Sequence, residues 1–90
     1  MTEEMLDENY ALGVIADHFG VPLVDVNNHS QFTRDLGADS LDLVELTLHL
    51  EREFNVHIDD AEVETCTDVG GALRILRQLV AEANQPIPRN

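Results

Sequence analysis

Residues 40–54 form the segment that most limits what this chain can fold into. Their sequence, SLDLVELTLHLEREF, carries apolar residues at helical spacing. At about 100° per residue, one side of such a helix holds an ordinary core-facing stripe: Leu43, Leu46, Leu50 and Phe54. Asp39 is a good N-cap, because its carboxylate can accept backbone N–H groups of the first turn, and Asn55 suits the opposite end. The sequence therefore predicts a helix from Ser40 to Phe54.

A second apolar stripe lies on nearly the opposite side of this helix. Leu41, Val44 and Leu48 form it, and three charged residues flank it: Glu45, Glu51 and Arg52. A small domain has one core, so a neighbouring helix or loop must cover this stripe, or it is exposed in part. An exposed apolar strip with carboxylates beside it would be a docking surface. The residues alone leave both alternatives open.

The rest of the chain predicts three further helices and no strand. Helical spacing of apolar residues marks the first from about Met5 to Phe19, and Gly20 and Pro22 end it. Residues 21–34 form a long loop, whose apolar side chains are expected to face the core: Val21, Val24, Val26 and Phe32. A short helix follows from Asp59 or Asp60 to about Glu64, and the last begins after Asp68. We expect an all-α bundle of three main helices plus one short helix, in one domain over residues 1–83, with a disordered tail over residues 84–90.

Acidic charge dominates the composition. The formal net charge is −13, and ten carboxylates lie between Asp35 and Glu64 with Arg52 as the one basic residue. Nucleic acid and anionic membranes are poor partners for such a chain, whereas basic protein surfaces are good ones. Acid also keeps proteins soluble, but its concentration in one segment favours recognition.

Size and cysteine content narrow the functional classes further. Ninety residues leave no room for a deep catalytic cleft, so an autonomous hydrolase is excluded on size. The single cysteine, Cys66, indicates a reducing compartment, and we interpret it as a small buried hydrophobic residue. No segment is apolar enough for a membrane span or a secretory signal. We expect a cytoplasmic monomer without membrane insertion. The four histidines show no metal-site spacing, so no metal is expected.

The run LGADSLDLVEL resembles the acyl carrier proteins of bacterial type II fatty-acid synthesis. The resemblance extends from about Ala11 to Val80, because FGV, LEREF and the TDV before the last helix also occur in family order. Asp-Ser-Leu alone is a weak signal, but in this context it is specific. The resemblance implies that Ser40 carries 4′-phosphopantetheine, attached by a phosphopantetheinyl transferase, and that the arm's thiol holds acyl groups as thioesters. The chain itself would not be an enzyme.

The resemblance also implies roles for the two faces of the second helix. Basic surfaces of acyl-chain synthesis or acyltransferase enzymes would bind the partner surface: Asp39, Leu41, Asp42, Val44, Glu45, Leu48, Glu51 and Arg52. The acyl chain would enter between the helices, into a pocket expected among Leu46, Leu50, Phe54, Ile58 and Leu73.

Three alternatives stay open beside fatty-acid synthesis. The first is a specialised carrier for a polyketide, lipopeptide or other acyl pathway, since Thr47, His49 and Arg52 depart from the usual pattern. The second is a peptidyl carrier, although Gly-Ala-Asp-Ser at the turn favours acyl cargo. The third is a regulatory binding module that never receives the arm, against which the intact Asp39-Ser40-Leu41 argues.

Overall fold

The computed structural model describes residues 6–83 and confirms the all-α prediction. Four helices occur in this range: α1 (Glu8–Phe19), α2 (Ser40–Phe54), α3 (Asp60–Thr65) and α4 (Val69–Ala83), with a 3₁₀ turn at Leu23–Asp25. One isolated antiparallel bridge, between Gln31 and Asp68, is the only β pairing in this part of the chain. Met5 and the expected disordered tail lie outside the described residues.

Local capping explains where the helices begin and end. Helix α1 begins later than predicted, because Asp7 is its N-cap and its carboxylate accepts the Tyr10 N–H at 3.1 Å. Gly20 ends α1 in the left-handed conformation, with φ at 68°. Helix α2 has the predicted bounds, and Asn55 ends it with φ at 56°. The bounds of α1 and α2 are therefore set by local capping interactions.

The loop between α1 and α2 is held to the core by only some of its apolar residues. Val26, Phe32 and Ala38 are buried, and Val21 is partly buried. The expectation for Val24 was wrong, since its side chain is 90% exposed. The physical reason is that the whole 3₁₀ turn Leu23–Asp25 lies on the surface, whereas Val21 and Val26 on either side of it pack against the core.

Backbone hydrogen bonds tie the same loop to the start of α4. Val69 N–H donates to the Ser30 carbonyl at 2.9 Å, and Gly70 N–H donates to the Asn28 carbonyl at 2.9 Å. A Cβ on Gly70 would lie 2.9 Å from that Asn28 oxygen, so only glycine allows this approach. The loop thereby delivers the chain to the start of α2 in a defined position.

Buried apolar side chains from α1, α2, α4 and the segments between helices form one core. Helices α1 and α4 contribute most of it, α2 contributes Leu46 and Leu50, and Ile58 comes from the segment between α2 and α3. An ion pair adds to the contact between α1 and α4, because Nε and Nη2 of Arg77 both donate to Glu8 Oε2, at 3.0 and 2.9 Å. The core side of α2 is thus buried as the periodicity predicts.

Candidate functional site

A reciprocal capping box fixes the start of α2. The Asp42 N–H donates to Asp39 Oδ1 at 2.8 Å, and the Asp39 N–H donates to Asp42 Oδ2 at 3.1 Å. Gly37 makes the preceding turn with φ at 71°, a conformation that favours glycine. Ser40 follows as the first helical residue and is exposed. The helix start therefore presents the Ser40 hydroxyl to solvent on a rigid base.

An open groove of about 440 Å³ lies beside Ser40. It is lined by residues from the preceding loop, α2, α3 and the segment after α3: Gln31, Phe32, Thr33, Ser40, Leu43, Val44, Val63, Glu64, Cys66 and Thr67. No histidine is among them, and the Ser40 hydroxyl has no hydrogen-bond partner among residues 6–83. A serine nucleophile needs an adjacent base, so within the described part of the chain Ser40 is accessible but not activated.

A small apolar cavity of about 30 Å³ adjoins this groove. Its walls come from α2, α3, α4 and the segment between α2 and α3: Leu43, Leu46, Thr47, Leu50, Ile58, Val63, Cys66, Ala72 and Ile75. Leu43, Val63 and Cys66 line both the groove and the cavity. These three side chains therefore separate the space beside Ser40 from the apolar interior.

Three of the five residues predicted to line an acyl pocket also line this cavity. Leu46, Leu50 and Ile58 line it. Phe54 does not, because its ring packs edge-on against Tyr10 with centroids 5.8 Å apart. Leu73 is also elsewhere, fully buried in the core. Val63 of α3 and Ala72 and Ile75 of α4 were not predicted, although the i, i+3 spacing of Ala72 and Ile75 indicates that these two share a helix face.

Cys66 is half-buried rather than fully buried and is the C-cap of α3. Its thiol lies 3.6 Å from the Asp68 carbonyl oxygen. Burial raises the pKa of the Cys66 thiol to about 11, and the Asp68 carboxylate adds to the shift. The thiol is therefore protonated at neutral pH and is a poor nucleophile where it faces the groove.

The second stripe of α2 is exposed, which answers the question that the sequence left open. Leu41 is 64%, Val44 51% and Leu48 48% exposed. Glu45 and Arg52 are exposed as well. Asp39 and Asp42 hold the capping box, and each has a second carboxylate oxygen outside those two bonds. The stripe and its charged neighbours therefore form a continuous accessible face of α2.

Glu51 differs from its expected place on that face. Its Oε2 accepts the Ile58 N–H at 2.7 Å and lies 3.3 Å from His57 Nδ1. Only 19% of the Glu51 side chain is exposed. The carboxylate is bound within the chain because the segment after α2 turns back over it, so it is not free for a partner as Glu45 is.

Two histidines that are distant in sequence meet between α1 and α2. Nδ1 of His18 lies 3.2 Å from Nδ1 of His49, and His49 Nε2 lies 3.7 Å from Glu53. Within residues 6–83 no group of three metal-ligating side chains lies together. No helix in this range is long and apolar enough to cross a membrane.

Comparison with known protein families gives one match that covers most of the chain. A family model described as a phosphopantetheine attachment site matches residues 9–76. The matched range contains α1 except Glu8, the long loop, all of α2 and α3, and half of α4. The groove, the cavity and the exposed face of α2 all lie inside it.

Proposed function

Because this chain belongs to the phosphopantetheine-attachment family, whose members carry covalently bound 4′-phosphopantetheine, we propose that Ser40 is the attachment residue. The observation that carries the proposal is its position: an exposed hydroxyl on the first residue of a capped helix, beside an open groove. The sequence contains one other serine, Ser30. Ser30 is 6% exposed, and its hydroxyl accepts the Asn27 N–H at 3.0 Å. Ser30 is therefore a poor acceptor.

The chain supplies the oxygen nucleophile, and a phosphopantetheinyl transferase supplies the catalysis. Ser40 Oγ would form a new bond to phosphorus while the bond to the nucleotide part of coenzyme A breaks, and the hydroxyl proton would leave to a base on the transferase. This assignment of roles is supported by the Ser40 hydroxyl, which has no hydrogen-bonded base within the described residues. Family members are substrates of this modification rather than catalysts of it.

The capping box affects where the arm can lie. A phosphate at a helix N-terminus normally gains from the first N–H groups and the helix dipole. Here the Asp42 N–H is already bonded to Asp39, and both carboxylates are negatively charged. They would repel the phosphodiester and keep the arm extended from the helix end. The arm's terminal thiol would carry its cargo as a thioester.

The exposed face of α2 would bind the enzymes that load and use the cargo. Leu41, Val44 and Leu48 provide apolar contact area, and Glu45 provides an unpaired carboxylate beside them. The net charge of −13 supports partners with basic surfaces. Asp39, Asp42 and Arg52 stand at either end of the strip and would contribute to its specificity.

The groove and the cavity would shelter an acyl chain. Leu43, Val63 and Cys66 separate them, so a chain that leaves the arm at the groove reaches the apolar interior past these residues. Because the Cys66 thiol is protonated at neutral pH, it would not exchange with the thioester as the chain passes. Apolar walls favour acyl over peptidyl cargo. We therefore propose a carrier for fatty-acid synthesis in the cytoplasm, with a dedicated polyketide or lipopeptide pathway as the alternative.

The test of the attachment site uses coenzyme A and a broad-specificity transferase. Intact mass should rise by one phosphopantetheine per chain for the wild type and for Ser30→Ala, and should not rise for Ser40→Ala. Loading that persists in Ser40→Ala contradicts the assignment. Transfer of a malonyl group to the loaded protein by fatty-acid-synthesis enzymes would support the proposed pathway, and failure of that transfer would favour a dedicated one.

A further inference from the structure

The hydrogen bond between Glu51 and Ile58 joins the end of α2 to a wall of the apolar cavity. Resting on the proposed function, we propose that Glu51 is a positioning residue that sets how large an acyl chain the cavity accepts. By this inference its carboxylate holds Ile58 in place, and a long chain must break that bond.

The volume of the cavity requires one of its walls to move. At about 30 Å³ the space has room for only about two water molecules, since one water needs roughly 10–15 Å³ of such volume. An acyl chain of ten carbons is too large for it. Protein interiors are close-packed and do not compress, so the chain must displace a wall.

The segment between α2 and α4 is the wall most able to move. Helices α2 and α4 have 15 residues each, whereas α3 has six. Helices as short as α3 have little stability of their own and depend on tertiary contacts. Ile58, Val63 and Cys66 are the cavity-lining side chains that this segment carries.

Glu51 restrains the first part of that wall. The 2.7 Å bond from the Ile58 N–H to Glu51 Oε2 has a charged acceptor, and such bonds are about twice as strong as neutral ones. Ile58 is 7% exposed, so the same residue both makes the bond and presents its side chain to the cavity. Outward movement of Ile58 therefore lengthens or breaks the bond.

A thermodynamic consequence distinguishes this role from a purely structural one. If a long chain breaks the bond, removing the Glu51 carboxylate costs little in the long-chain form, because the contact is already lost. With no acyl chain or a short one, the bond is intact and its removal lowers stability. The proposal therefore predicts that the stability lost on mutation of Glu51 depends on the length of the acyl chain, which neither change shows alone.

The experiment compares melting temperatures of three forms of the protein loaded at Ser40: without an acyl group, with butyryl and with decanoyl. Glu51→Ala should lower the melting temperature of the first two forms, and at least half of that loss should disappear in the decanoyl form. Glu51→Gln retains an oxygen acceptor and should lose less than Glu51→Ala. Asp17→Ala is the control, because it removes an exposed carboxylate from α1, away from the cavity and from the partner surface; its effect should not depend on chain length.

Amide hydrogen exchange at Ile58 provides a second measurement, which can be made on the wild type and so does not depend on the folding of a variant. In the wild type, exchange should be slow without an acyl chain and about tenfold faster or more with decanoyl, because the hydrogen bond opens. Equal protection in both forms, or an equal loss of melting temperature in all forms of Glu51→Ala, would overturn the proposal. The intact mass of the protein after loading tests the proposed function separately from the role of Glu51. A mass without the phosphopantetheine arm contradicts the proposed function. In that case the amide exchange of Ile58 is compared between the unmodified wild type and unmodified Glu51→Ala. Exchange that is no faster in Glu51→Ala would show that Glu51 does not hold Ile58 in place.

Discussion

Two leucines on opposite sides of α2 allow the division of that helix to be tested with one chemical change. Leu46 is 3% exposed and lines the cavity, whereas Leu41 is 64% exposed. Both substitutions to alanine remove the same atoms from the same helix. The difference in the free energy of unfolding therefore reports burial alone.

The magnitude for Leu46→Ala follows from its surroundings. Buried leucine-to-alanine changes cost about 2.7–5.0 kcal/mol, and the cost rises by about 24 cal/mol per Å³ of the cavity that remains. The wild type already contains the adjoining void of about 30 Å³, so only the newly vacated volume adds to the cost. We expect a loss of about 3 kcal/mol, which corresponds to a decrease of about 12–24 °C in the melting temperature of a domain this small. Leu41→Ala should change stability by no more than about 0.5 kcal/mol.

Urea and thermal unfolding followed by circular dichroism measure the stability of both variants. Transferase kinetics measure the contribution of Leu41 to partner binding. Leu41→Ala should lower the kcat/KM of the transferase about fivefold or more, because an apolar contact is lost from the proposed interface. The unfolding m-value should remain the same in both variants, so that the comparison is of like states. Equal losses of stability in the two variants would refute the division of α2 into a core face and an exposed face.

Two further predictions concern charge. Glu45→Lys should weaken binding of a basic transferase, and the wild-type affinity should fall as salt rises, which titration calorimetry at two ionic strengths would measure. Asp17→Lys, at an exposed position on α1, is the control. Equal weakening by both changes would mean that the transferase recognises total charge rather than the α2 face. Because the pKa of Cys66 is raised from 9.0 to about 11 in the folded state, the folded protein retains this proton between those values while the unfolded chain loses it. The free energy of unfolding should therefore fall as pH rises from 9 to 11, and less steeply in Cys66→Ala. Glu53 also raises the pKa of Tyr10, so the comparison is made in a Tyr10→Phe background; equal slopes with and without Cys66 would contradict the argument.

The sequence by itself determined the features that depend on neighbours along the chain. Helix α2 begins at Ser40 and ends at Phe54 because Asp39, Asp42 and Asn55 satisfy its terminal backbone groups, and each acts within a few residues of its own position. The two apolar stripes follow from helical periodicity in the same way. The resemblance carried by LGADSLDLVEL was enough to indicate a phosphopantetheine carrier, and the match over residues 9–76 shows the phosphopantetheine-attachment family.

The tertiary structure decided what depends on which distant segments meet. Only the fold showed that nothing within residues 6–83 covers Leu41, Val44 and Leu48, since periodicity predicts a stripe but not its neighbours. The tertiary structure also decided that His18 lies beside His49 and which residues form the walls of the cavity. Both features bring together helices that are distant in sequence. Glu51 is the clearest case: its place on α2 groups it with the partner-facing carboxylates, but the chain beyond α2 returns and donates the Ile58 N–H to it.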